Sequence, residues 1–302
     1  MNKLKIALTG SLGNIGRPLS EQLVKDGHWV TIISSNPKKS EEISAVGATP
    51  AIGLLQDANF LASIFQGSDV VYTMAPPANY FDHNLDLLQY YKDLGNSFVD
   101  AVNKAGVKRV INLSSIGAHL KKGNGILEGT YHIEQSLNEL PQEVAVTHIR
   151  PVEIYYNLFQ YIGLIKSHEI MASNLAEDDL NAWVSLEDIA NAVLEEIYAF
   201  PNERKVRYVV SEEITYKELA STLGLAIGKP DLKWVQITDD QLKENLITHR
   251  MQPKIAEKMT EMYSAIHTGL LYGHYSQNKP QKFGKVKLKD FAQEFAMAYQ
   301  KA

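Results

Sequence analysis

The chain has 302 residues, of which 45% are hydrophobic, a formal net charge of -5 and no cysteine. That size and apolar content allow one large or two modest domains with a real core, and the mild negative charge with scattered basic residues gives no electrostatic case for a nucleic-acid partner. The lack of cysteine excludes disulfides, thiol catalysis and cysteine-ligated metals; with no apolar run of membrane-spanning length and no signal-peptide pattern ahead of the first strand, the expectation is a soluble cytoplasmic protein without a membrane partner.

Lys5–Thr9 is a short apolar run that predicts strand one. Gly10-Ser-Leu-Gly13-Asn-Ile-Gly16 follows as a turn, and Arg17–Lys25 as a helix ending at Asp26-Gly27, where glycine suits a helix C-terminus. Trp29–Ser34 predicts strand two, helix two starts near Ser40 with Ser40 as its N-cap, Ala48–Ile52 is strand three and Asn59–Phe65 helix three. Strand four, Asp69–Thr73, runs into Met74-Ala-Pro-Pro77; a helix covers Asn84–Lys104, strand five is Arg109–Leu113, a further helix runs through Tyr131–Leu140, and strand six is Val144–Ile149. Strands alternating with helices at the spacing of βαβ units predict an α/β fold, a Rossmann-type doubly wound parallel sheet with helices on both faces. Right-handed crossovers bring the ends of strands one, four and five together, so the glycine turn, Thr73–Pro77 and Ser114-Ser115 share one crevice.

After Arg150-Pro151 the rhythm changes. Tyr155–Lys166 is aromatic and aliphatic, Trp183-Val-Ser185 precedes a helix over Leu186–Ala199, and Val206–Val210 predicts an extra strand. Helices are expected over Ile214–Gly228, opened by a Thr215/Glu218 capping box, and over Asp239–Asn245, Lys254–Leu271 and Leu288–Gln300. The division is a dinucleotide-binding Rossmann domain over 1–150 and a smaller, mainly helical substrate lobe over 151–302, packed on the first.

The strand–glycine turn–helix order predicts a pyrophosphate cradle, in which the backbone of Gly10, Ser11, Leu12, Gly13, Asn14 and Ile15 approaches the phosphates. Strand two ends in Ile33-Ser-Ser-Asn-Pro-Lys-Lys39, without the acid that usually binds a ribose 2′-hydroxyl in NAD sites. Ser34, Asn36 and Lys38 or Lys39 suit a 2′-phosphate, so NADP(H) is favoured over NAD(H). Thr73, Met74, Ala75 and Pro76 are placed to line the ribose or adenine. His119, His132 and His148 show no metal-ligand spacing, and no metal is expected.

Thr9-Gly-Ser-Leu-Gly-Asn-Ile-Gly16, Arg109-Val-Ile-Asn-Leu-Ser-Ser115, Ile149-Arg-Pro151 with Asn157, Val184-Ser-Leu-Glu-Asp-Ile-Ala190 and Ile214-Thr-Tyr-Lys-Glu-Leu-Ala220, in this order, resemble the NmrA-like group of atypical, extended short-chain dehydrogenases/reductases. That group includes NAD(P)H:quinone oxidoreductase-like enzymes and redox-sensing regulators. On this reading the nicotinamide sits near Ser114, Ser115 and Pro151, and the aromatic cluster beyond Pro151, with Tyr155, Tyr156 and Asn157, supplies the substrate-side candidates for a flat acceptor. Short-chain reductases use Tyr-x-x-x-Lys, but here the matching stretch is Tyr131-His-Ile-Glu-Gln135, and glutamine cannot favour a tyrosinate. Tyr131 and Ser115 are the catalytic candidates, while Glu134 reads as a helix-surface or ribose-side residue. A literal match, Tyr275-Ser-Gln-Asn-Lys279, lies far beyond the sheet and reads as coincidence. The expected function is hydride transfer from NADPH to a quinone or similar electron-poor small molecule, by a monomer or homodimer. A non-enzymatic NADP(H)-binding redox sensor is the alternative; a sugar-nucleotide epimerase or reductase fits less, because that chemistry relies on the tyrosine.

Overall fold

The computed structural model describes residues 3–199 and 203–302. The strands are β1 (Lys5–Leu8), β2 (Trp29–Ser34), β3 (Thr49–Ile52), β4 (Val70–Met74), β5 (Arg109–Leu113), β6 (Ala145–Pro151), β7 (Glu153–Ile154), β8 (Ile170–Ser173), β9 (Leu180–Val184), β10 (Lys205–Val209), β11 (Glu212–Thr215) and β12 (Lys233–Gln236). The helices are α1 (Gly16–Lys25), α2 (Ser40–Ala45), α3 (Ala58–Phe65), α4 (Leu87–Ala105), α5 (Glu128–Asn138), α6 (Ile162–His168), α7 (Leu186–Ala199), α8 (Tyr216–Ala226), α9 (Asp239–Thr248), α10 (Pro253–His267), α11 (Gly273–Gln277) and α12 (Leu288–Lys301).

Seven strands form one sheet in the order β10-β6-β5-β4-β1-β2-β3, parallel throughout. Its inner strands β1, β4, β5 and β6 are buried on both faces, as a doubly wound sheet requires, while the edge strands β3 and β10 are partly exposed. Side chains alternate between the two layers. Ile6 and Leu8 of β1, Val30 and Ile32 of β2, and Val70 and Tyr72 of β4 pack with Leu19 and Leu23 of α1 and Ile189 and Val193 of α7. Ala7, Ile33 and Val71 face the other way, against Leu61 and Phe65 of α3, Leu94 and Phe98 of α4, and Ile133 and Leu137 of α5. This is the expected Rossmann-type fold with helices on both faces.

The strand order reverses at β1, which lies between β4 and β2. Loops leaving β1 and β4 diverge there to opposite sides, the place where open α/β sheets bind ligands. Local caps fix the entries around it. Asp57 Oδ1 accepts from the amides of Asn59 and Phe60, both at 3.0 Å, and Asp86 caps α4 through the Gln89 amide at 2.9 Å. Ser40 is not an N-cap. Asn36 caps a 3₁₀ turn over Pro37–Lys39 by accepting from the Lys38 amide, and α2 continues from that turn with Ser40 as its first residue.

The extra strand expected near Val206–Val210 is β10, which pairs with β6 at the sheet edge. The Thr215/Glu218 capping box opens α8. Five short strands were not legible in the sequence: β7, β9 and β11 form a small mixed sheet, and β8 pairs with β12. Among the described residues, no helix is long and apolar enough to cross a membrane.

Candidate functional site

Between β1 and α1 the glycines answer to sterics. Gly10 has φ +88°, and a Cβ there would lie 2.6 Å from Cε of Met74. At Gly16 a Cβ would lie 2.2 Å from the Ser11 carbonyl oxygen, so the first turn of α1 sits directly on the loop. The Ser11 amide donates to the Ile33 carbonyl at 3.1 Å, tying the turn to β2. Thr9 ties it to β4: its hydroxyl donates to the Met74 carbonyl at 3.1 Å and accepts from the Met74 amide at 2.7 Å. The Ser11 hydroxyl is buried without a partner among the described residues, and α1 starts without a side-chain cap. An unsatisfied hydroxyl beside uncapped helix amides fits an anionic phosphate oxygen. Leu12 and Ile15 place their side chains in the core, so only their backbone can serve a ligand; Gly13 and Asn14 are exposed.

At the end of β2, Ser34 is buried and its hydroxyl accepts from the Asn36 amide at 3.2 Å. The two lysines differ. Lys39 Nζ pairs with Glu42 Oε2 at 2.6 Å, and the other Glu42 oxygen pairs with Arg17. Lys38 is exposed and has no ion-pair partner among the described residues. Arg17, at the start of α1, is a third cation at this corner, and one that sequence reasoning did not single out.

The ends of β4, β5 and β6 are joined by buried polar contacts. The Thr73 hydroxyl donates to Asn112 Oδ1 at 3.0 Å, which turns it inward. Met74, Ala75 and Ser114 line a small cavity of about 90 Å³, and the Pro76 carbonyl accepts from the Tyr90 hydroxyl at 3.3 Å. The Ser114 hydroxyl donates to Glu134 Oε1 at 2.5 Å. Glu134 is 2% exposed and is held by Arg150, so it is not a surface residue. It lies on the face of α5 that also buries Ile133 and Leu137. Arg150 Nη1 donates to the Tyr208 hydroxyl at 3.2 Å, and that oxygen lies 2.9 Å from His274 Nδ1. Burial, with the Arg150 charge added, lowers the His119 and His274 pKa values.

Tyr131 lies outside the lining of both cavities described here. Its ring meets His132 edge-on at 5.3 Å, and Gln135 is exposed. Of the literal Tyr-x-x-x-Lys match, both Tyr275 and Lys279 contact Glu213, in the C-terminal part of the chain.

Ser114, Ser115 and Pro151 also wall a larger cavity of about 620 Å³, a size that suits a small-molecule ligand. Tyr156, Asn157 and Phe159 come to it from a 3₁₀ turn over Tyr155–Tyr161, Trp183 from β9, Tyr216 from α8 and Tyr263 from α10. Tyr156 is 46% exposed and lines the cavity with Asn157. Tyr155 turns the other way: it is 1% exposed, its ring stacks on Phe291 at 5.4 Å and on Trp183 at 6.0 Å, and its hydroxyl donates to Glu212.

Glu153 of β7 is the sole acidic or basic residue in this lining among the described residues. The Tyr216 hydroxyl lies 3.0 Å from both its oxygens, and the Tyr272 hydroxyl donates to Oε1 at 3.2 Å. Desolvation pushes its pKa up to about 7, against the pull of those two hydroxyls. Sequence reasoning missed Glu153, Tyr216 and Tyr263 as cavity residues.

Several solved structures share the fold across nearly the whole chain. A triphenylmethane reductase of Citrobacter sp. superposes with a TM-score of 0.79 at 19% identity, covering 97% of this chain and 99% of that one. An NADPH-dependent quinone oxidoreductase of Escherichia coli gives 0.76 at 20% identity, covering 96% and 98%. A negative transcriptional regulator, Nmra, in complex with NAD gives 0.70 at 15% identity, covering 100% and 98%. Among curated sequences, an uncharacterized protein of Schizosaccharomyces pombe is 29% identical over 142 residues, 46% of this chain and 44% of that protein. A decarboxylating sterol-4-alpha-carboxylate 3-dehydrogenase of Dictyostelium discoideum is 30% identical over 88 residues, 29% of this chain and 26% of that protein. The chain thus matches less than half the length of either curated relative. The sequence model of the NmrA-like family, in contrast, matches residues 2–295, and the chain belongs to that family.

Proposed function

We propose that the protein is an NADP(H)-dependent oxidoreductase that transfers a hydride to a quinone or similar electron-poor acceptor without a Tyr-x-x-x-Lys dyad. One observation carries the reading: Ser114, Ser115 and Pro151, at the strand ends where a nicotinamide is expected, are also walls of the large aromatic cavity. A dinucleotide along the strand ends and a flat acceptor in the cavity would meet at those residues. Bound NADPH would supply the hydride. The glycine turn would hold the pyrophosphate through backbone amides and the Ser11 hydroxyl, and the cavity rings would orient the acceptor and exclude water.

Two further observations favour NADP(H) over NAD(H). Lys38 is exposed and unpaired among the described residues, and Glu42, the acid at that corner, is already engaged by Arg17 and Lys39. Structures of the Citrobacter reductase and the Escherichia coli quinone oxidoreductase contain NADP(H) and NADPH, whereas the regulator structure contains NAD. The sensor reading draws on that regulator; a cavity of about 620 Å³ beside Ser114 favours transfer. NADPH oxidation followed by absorbance with a panel of quinones tests the proposal. Turnover that depends on the acceptor supports it; tight NADPH binding with no turnover on any acceptor overturns it in favour of the sensor.

A further inference from the structure

We infer that the large cavity selects a cationic, flat aromatic acceptor, with the Glu153 carboxylate as its counter-charge. The inference deepens the reading above by naming the charge of the acceptor, and it rests on that reading in taking the cavity as the acceptor's site.

The cavity lining is aromatic and aliphatic except for a few neutral polar groups and Glu153. The groups that face Glu153 from other elements are Tyr216 of α8 and Tyr272 of the 3₁₀ turn over Leu270–Tyr272, both bonded to it. Burial raises the pKa values of Tyr161 and Tyr263, and the nearby Glu153 charge adds to both shifts. None of the four is a cation, and Glu153 has no ion pair among the described residues. An ionised carboxylate in such a place is costly without an opposite charge. A guest that brings the charge removes that cost, and tyrosine and tryptophan rings favour the same sign through their faces. An anionic guest meets the opposite on every count.

The charge of the guest also bears on the missing dyad. A cationic acceptor that takes a hydride from NADPH gains one C–H bond and two electrons and becomes neutral, while NADPH leaves as NADP⁺. No proton is consumed, so Gln135 in place of a lysine costs that reaction nothing. The neutral product then loses its attraction to Glu153, which favours release.

Because desolvation pushes the Glu153 pKa up to about 7, only its ionised fraction attracts the cation, and affinity follows that fraction. The test is direct binding of two fluorescent probes of matched shape, cationic N-methylacridinium and neutral 9-methylanthracene, which has no titratable group, to the full chain without dinucleotide. N-methylacridinium affinity should rise on the order of tenfold between about pH 6 and about pH 8.5, as the ionised fraction goes from roughly a tenth to nearly all, while 9-methylanthracene stays level. Glu153→Gln should abolish the rise, with thermal unfolding confirming that the variant folds. Tyr216→Phe, which removes a hydroxyl that stabilises the carboxylate, should move the midpoint to higher pH; it decides the question if the Gln variant does not fold. Equal affinity for both probes at the higher pH, an affinity that falls as pH rises, or a cation preference that survives in Glu153→Gln would overturn the inference. Cation-selective binding without any NADPH oxidation would overturn the reductase reading and leave this one standing; oxidation with neutral quinones and no charge preference would do the reverse.

Discussion

Glu134 and Arg150 form a two-point ion pair inside the wall of the cleft, Nε to Oε1 at 2.9 Å and Nη2 to Oε2 at 2.5 Å, with both side chains at 5% exposure or less. The same Oε1 accepts the Ser114 hydroxyl, so the pair sets the direction of a cleft-lining side chain from behind. It links α5 to β6, the helix and strand that flank the expected nicotinamide position.

Removing one partner leaves the other charged, buried and unmatched. Arg150→Met should lower stability by about 3–5 kcal/mol, read from urea unfolding. Arg150→Met with Glu134→Leu should recover much of that loss, because the stranded charge is gone. If the double variant is as unstable as the sum of the singles, the pair is not coupled in the way its geometry indicates.

Gly16 is where the proposed phosphate-binding role of the turn can be tested apart from its ligand groups. A Cβ there meets the Ser11 carbonyl at 2.2 Å, a backbone atom that cannot swing aside. Gly16→Ala should cost about 1–3 kcal/mol of stability through overpacking and lower NADPH affinity by about tenfold or more, since misplacement of a positioning group by an ångström is felt strongly. Gly163→Ala is the control: it lies in α6, a Cβ there meets nothing within 4 Å, and it should be neutral or slightly stabilising. NADPH binding that is unchanged in Gly16→Ala would remove the cradle from the turn.

The frame of the molecule was legible because its signals are local. Trp29–Ser34, Arg109–Leu113 and Leu186–Ala199 have the boundaries that apolar runs and flanking residues predict. What escaped depends on distant partners or on direction. β7 to β9, β11 and β12 are two to five residues long, too short for a period to show. Tyr155 and Tyr156 are neighbours in a 3₁₀ turn, and only the packing of Phe291 and Trp183 decides which one goes inside. Glu134 looked like a surface residue because Arg150 is sixteen positions on and in another element. Glu153 gave no signal, since its partners Tyr216 and Tyr272 are 63 and 119 positions away.

The proposed preference for NADPH rests on one corner where Arg17, Lys38 and Lys39 meet Glu21 and Glu42. Lys39 and Arg17 are both held by Glu42, and Lys38 is not. Lys38→Ala should therefore reduce NADPH affinity by about tenfold, the scale of one charge-assisted contact to a phosphate, and leave NADH affinity unchanged. Lys39→Ala should do less. Glu42→Gln should raise NADPH affinity, because it frees Lys39 and leaves Arg17 with only its 3.5 Å contact to Glu21. Titration of each variant with both dinucleotides checks the order; equal effects on NADPH and NADH would show that this corner does not read the 2′-phosphate.

Glu153 should leave a mark on stability that is independent of any ligand. Its pKa stands near 4.5 in the unfolded chain and at about 7 in the folded one. Between those values the native state holds the proton that the unfolded state has released, so unfolding releases a proton and stability falls as pH rises. The loss begins near the unfolded pKa, is complete just above 7, and amounts to about 3 kcal/mol if the full shift is expressed. Glu153→Gln, which cannot ionise, should show a shallower decline from pH 5 to pH 8 than the parent chain. The lowered pKa values of His119, His148 and His274 work in the opposite direction, but they are common to both proteins and cancel in the comparison. Urea unfolding at a series of pH values gives the two slopes, and parallel curves would mean that Glu153 is not held in the low-dielectric setting its surroundings describe.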